Sequence, residues 1–78
     1  MNAERYSVTQ FFEDGQYEHV RRFVSAEEAA KAVDHYTHNV ASRMGLVTRV
    51  IVTDALDQIC FEWVYGKGVV FPPVETVN

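Results

Sequence analysis

The tetrad Ser25-Ala26-Glu27-Glu28 is the strongest constraint on this chain. A serine hydroxyl three residues before a glutamate lets each side chain satisfy a backbone N–H that the first helical turn leaves free, so a helix begins at residue 26. Ala29, Val33, Tyr36, Val40 and Met44 follow at spacings of four, three, four and four. At about 100° per residue these positions form one narrow apolar stripe. Glu27, Lys31, Asp34, His35, His38 and Ser42 fall on the other side. Gly45 tolerates the positive φ of a helix stop, and Leu46 after it completes a Schellman-type ending. The pattern predicts one helix over residues 26–44.

Two pairs of β-type runs flank that helix. Tyr6 to Phe12 and Tyr17 to Val24 are rich in aromatic and β-branched residues and are separated by Glu13-Asp14-Gly15-Gln16, a hairpin signal. A two-residue turn pairs Phe12 with Tyr17 and Val8 with Arg21, whereas a three-residue turn with Gly15 in a bulge pairs Phe11 with Tyr17 and Val8 with Val20. Because a one-residue slip exchanges the faces of a strand, Phe11 and Phe12 both remain candidates for the core. Leu46 to Thr53 and Gln58 to Tyr65 form a second hairpin with Asp54-Ala55-Leu56-Asp57 as its loop. Pairing Thr53 with Gln58 sets Arg49 opposite Glu62, Val50 opposite Phe61 and Thr48 opposite Trp63. Gly66-Lys67-Gly68 then interrupts the strand, Val69 to Phe71 offers a short extension, and Pro72-Pro73 ends regular structure.

The expected architecture is α+β with the order ββαββ: a four-stranded, mainly antiparallel sheet with one amphipathic helix across one face. Seventy-eight residues, 47% of them apolar and 23% charged, suit a single small domain, with residues 1–5 and 73–78 as flexible ends. Which strands occupy the sheet centre is left open by the sequence.

Composition narrows the function classes. A formal charge of −4 with dispersed basic residues does not fit a nucleic-acid or acidic-membrane binder. No stretch reaches the 18 or so apolar residues of a membrane span, and the N-terminus lacks a signal-peptide core. Cys60, the single cysteine, precludes an intrachain disulfide and places the expected location in the reducing cytoplasm. Mid-strand between Ile59 and Phe61, it reads as a buried small hydrophobe and not as an activated thiol. Asp34, His35 and His38 share the polar helix face without a third ligand at a fixed spacing, so no metal or cofactor is expected and Asp34 with His38 reads as an i, i+4 pair. Acidic pairs fall in turns or at the helix start, where acids belong anyway, and no catalytic dyad stands out.

One helix covers one face of a sheet, yet the second hairpin is apolar on both. Val47, Arg49, Ile51, Cys60, Glu62 and Val64 make up its second face and are the candidates for a homodimer interface, the expected role being a non-enzymatic interaction domain. The alternative is a ligand- or protein-binding module whose groove is lined by Trp63, Tyr65, Lys67 and Phe71.

Ser25→Ala should lower stability by about 1 kcal/mol in urea denaturation, while Ser25→Asp should be close to neutral because aspartate caps as well and its charge suits the helix N-terminus. Equal stability of Ser25→Ala and the parent chain would move the helix start elsewhere.

Overall fold

The computed structural model describes residues 5–73. Of the expected end segments 1–5 and 73–78, residues 1–4 and 74–78 lie outside the described residues. Strands β1 (Tyr6–Phe12) and β2 (Tyr17–Val24) lead into helix α1 (Ala26–His38) and a short helix α2 (Val40–Arg43), followed by β3 (Val47–Thr53), β4 (Ile59–Val64) and β5 (Gly68–Phe71). The sheet has five strands in the order β2-β1-β3-β4-β5, each neighbour antiparallel. The α+β class holds, and the short extension expected over Val69 to Phe71 is a fifth strand, Gly68–Phe71, so the sheet has five strands and not four.

Charge explains the strand order. β2 carries Glu18, Arg21 and Arg22 and takes an edge, where charged side chains reach water and discourage further pairing. β1 and β3 take the centre, and Val8, Val47, Val50 and Val52 form the buried core with Ala29 and Ala32 of α1. The buried polar side chains are partnered: Thr9 with His19 at 2.8 Å, Gln10 with Glu18 at 2.9 Å, and Ser42 with the Asn39 carbonyl at 2.9 Å.

The long helix expected over 26–44 is two helices. Ser25 caps α1 as the sequence indicates, its Oγ accepting from the Glu28 N–H at 3.1 Å. Asn39 then adopts φ −74° and ψ 174°, which is extended backbone, and its side chain accepts from the Ser42 N–H at 2.9 Å to start α2. The three residues Thr37-His38-Asn39 all offer side-chain alternatives to helical bonding. Thr37 Oγ1 donates to the Val33 carbonyl at 2.7 Å, His38 Nδ1 lies 2.8 Å from the Asp34 carbonyl, and Arg43 Nε donates to the His38 carbonyl at 2.9 Å. The His35 and His38 carbonyls are thereby capped, by the Asn39 N–H and the Arg43 guanidinium, where the helix stops. The break rotates Val40 and Met44 off the stripe, leaving them 69% and 67% exposed, while Ala29, Ala32, Val33 and Tyr36 face the sheet. At Gly45, φ is +80°, and the Leu46 N–H to Ala41 carbonyl bond of 3.0 Å closes the Schellman ending.

Both hairpins turn through three residues, the last in the left-handed region: Gly15 at φ +88° and Asp57 at φ +60°. In the first, Phe11 pairs with Tyr17 as the three-residue alternative requires, but a bulge beyond His19 brings Val8 opposite Arg21. Phe12 packs on the core and Phe11 on the opposite face. In the second, the Asp54 N–H to Gln58 carbonyl bond closes a loop one residue shorter than expected, and a bulge at Cys60 adds one further step. The expected pairings therefore shift by two: Val50 faces Trp63, Val52 faces Phe61, and Arg49 faces Val64. An even shift preserves the faces of the strands.

A Cβ added at Gly45 would stand 3.1 Å from the Tyr65 ring, whereas one at Gly15 meets open space. Gly45→Ala should therefore lose about 1–3 kcal/mol, from the positive φ and the displaced ring together, and Gly15→Ala about 1 kcal/mol from φ alone. Thermal denaturation showing the reverse ranking would contradict the Gly45–Tyr65 contact.

Candidate functional site

The described molecule is 19 Å along its shortest axis, the depth of one sheet and one helical layer. One face of the sheet therefore has no layer over it. On that face Arg49 donates from Nε to Glu62 Oε2 at 2.6 Å and lays its guanidinium 4.9 Å from the Phe11 ring centroid. Phe11 in turn packs against Tyr17, with 5.8 Å between centroids. Ile51, which is only 8% exposed, lies between Thr9 on β1 and Glu62 on β4, beside the diagonal ion pair. Four of the six interface candidates, Arg49, Ile51, Glu62 and Val64, share this face.

Val47 and Cys60 do not share it. A bulge at Thr48 turns Val47 to the helix side, where it is 1% exposed in the core. The bulge at Cys60 likewise turns that residue toward α1. Bulges reverse the alternation on which the face assignment rested.

The second candidate site fares differently. Trp63 is half-buried against the core on the helix side, Tyr65 rests on Gly45, and Phe71 pairs with Glu62 on the other face. Lys67 is exposed in the β4–β5 turn. These four residues do not line a common groove. An apolar groove does exist between α1 and β4, with a volume of about 380 Å³ and walls from Ala29, Ala30, Val33, Cys60 and Phe61. It exists because α1 packs on β1, β2 and β3 and neither helix packs extensively on β4 or β5.

Cys60 is exposed as a residue and is not the buried hydrophobe expected from its neighbours. Its thiol lies 3.4 Å from the Val52 carbonyl as a donor, and desolvation in the groove wall, assisted by the Asp54 carboxylate, pushes its pKa above the ordinary thiol value. Among the described residues no three His, Cys, Asp or Glu side chains gather as a metal site. Asp34 and His38 form an exposed i, i+4 contact at 3.5 Å. No helix of the described residues is long and apolar enough to cross a membrane.

The surface that sequence reasoning missed lies at one end of the sheet. The β1–β2 turn, the start of β3 and the β4–β5 turn all meet there, tied by the Glu13 N–H to Leu46 carbonyl bond of 3.2 Å and the Tyr65 N–H to Thr48 carbonyl bond of 3.0 Å. Val40, Met44, Leu46 and Tyr65, 69%, 67%, 42% and 48% exposed, belong to the segments that meet at this end, with Tyr65 against Gly45. The sequence signal for it was Thr37-His38-Asn39, whose combined side-chain bonding ends α1 and turns Val40 and Met44 outward. No known protein family matches this chain, and no curated protein or solved structure shows significant similarity to it.

The raised pKa leaves less thiolate at neutral pH, so Cys60 should react with iodoacetamide more slowly than free cysteine despite its exposure. Asp54→Asn keeps the Oδ1 acceptor for the Leu56 and Gln58 N–H groups but removes the charge, and should speed the reaction. Reaction at or above the rate of free cysteine would contradict this environment.

Proposed function

We propose that this chain is a non-catalytic interaction domain that works by self-association as a homodimer. The observation that carries the reading is the grouping of Val40, Met44, Leu46 and Tyr65 at one end of the sheet. Scattered apolar residues on a surface need no explanation, but four large ones carried by adjoining segments at one end of a domain this small are costly to leave in water. Closed two-fold association is the commonest way such a patch is covered. Strand addition is the weaker route here, because both sheet edges are blunted. β2 is bulged, its Val20 carbonyl accepts from Arg21 at 2.7 Å, and Phe23 stands at φ +56°. β5 has four residues, is bulged, and runs into Pro72. The lone cysteine fits a reducing compartment such as the cytoplasm.

A second reading, capture of an apolar ligand or partner, is favoured by the α1–β4 groove, whose volume lies within the range of small-molecule sites. Ala30→Phe, which fills that groove, separates the two: self-association survives and ligand capture does not.

Sedimentation velocity of the full chain without a tag should show a species of twice the 8.9 kDa chain mass at high micromolar concentration. A monomer throughout that range would overturn the self-association reading.

A further inference from the structure

Across the end of the sheet that carries the exposed apolar group, the charges are ordered. The β1–β2 turn on one flank presents Glu13 and Asp14, both exposed. The β4–β5 turn on the other flank presents Lys67. Leu46, Gly45 and the end of α2 lie between them, because β3 separates β1 from β4 in the sheet. The surface thus runs from acid through apolar centre to base. Of the other cations near this end, Arg43 is turned back onto the His38 carbonyl and Arg49 is paired with Glu62.

From this order, and resting on the self-association reading, we infer that the partner is a second copy of the chain, docked end to end about a two-fold axis through the Met44 and Leu46 region. A two-fold axis that crosses the acid-to-base line sets the apolar centre of each copy on that of the other and brings the acidic flank of one copy against the basic flank of its partner. The same surface on both copies is therefore complementary to itself in both shape class and charge. A two-fold axis running along the acid-to-base line would set acid on acid and base on base, which disfavours that orientation of the axis. The opposite end of the sheet also carries bases and acids, Arg5, Arg21 and Arg22 on the β1 and β2 side and Asp54 and Asp57 in the β3–β4 loop, but its exposed apolar side chains, Phe23 of β2 and Leu56 of the loop, have β1 between them and form no shared centre.

The test uses the full chain and measures dimer dissociation by sedimentation. Met44→Glu, at a position exposed enough to leave folding intact, should weaken the dimer roughly 30-fold or more, as for a central interface residue. Lys67→Glu should also weaken it, and adding Glu13→Lys and Asp14→Lys to that chain should restore it, since the flanks are then exchanged on both copies. Leu56→Glu serves as the control and should leave the dimer unchanged. A parent dimer that dissociates no more readily with Met44→Glu or Lys67→Glu than with Leu56→Glu would overturn this interface while leaving self-association standing. Failure of the triple charge reversal to recover the loss caused by Lys67→Glu would overturn the two-fold charge match.

Discussion

A single helical layer that is too narrow for its sheet determines most of what is distinctive here. Five strands at about 4.8 Å spacing place the edge strands roughly 20 Å apart, and one helix with its side chains spans about 10 Å. α1 settles on β1, β2 and β3, where the small Ala29 and Ala32 permit close approach to Val8, Val47 and Val50. β4 and β5 are left to cover themselves, and they do so incompletely. Phe61 and Trp63 lean toward the core, and the space between α1 and β4 remains a groove.

The break at Asn39 follows from the same constraint. Had the helix continued, Val40 and Met44 would have extended the apolar stripe beyond the region that α1 contacts. Capping by Asn39 instead redirects the chain so that Gly45 can meet Tyr65 and Leu46 can enter β3. Packing of the tyrosine ring on glycine secures the junction between helical layer and sheet, and the four apolar side chains of the adjoining segments are what that junction leaves uncovered. The other sheet face handles its apolar content differently. There a guanidinium lies over one ring and bonds a carboxylate beside Ile51, which is buried without a second layer.

Much of the architecture was legible in the residues. Ser25 with Glu28 marked the helix start, Gly45 its final stop, and Asp14-Gly15 a turn, because each residue type satisfies a backbone demand that is local in sequence. What escaped was cooperative or cumulative. Thr37, His38 and Asn39 each tolerate a helix singly, and only together do they end one. In the second hairpin, a loop closed by Asp57 at positive φ and a bulge at Cys60 each moved the register by one step, and neither leaves a signature as clear as glycine. The candidate face was recovered for Arg49, Ile51, Glu62 and Val64 because two steps cancel in a period of two. It was lost for Val47 and Cys60 because each adjoins a single bulge. The groove expected from Trp63, Tyr65, Lys67 and Phe71 assumed one side for residues that the sheet divides between two.

The central place of β1 bears on how the chain comes together during synthesis. β1 is the first strand made, yet one of its two partners is β3, whose residues lie more than thirty positions later in the chain. Until Thr53 has been added, Val8 and Phe12 belong to a two-stranded hairpin with an open inner edge, and such hairpins are marginal alone. The helix can form in the interval, since its bonds are local, and it is available to shelter that hairpin before the strand that completes it arrives. Of the strands described, β1 therefore waits through the longest stretch of synthesis for its second partner, and the helix is its companion in the meantime.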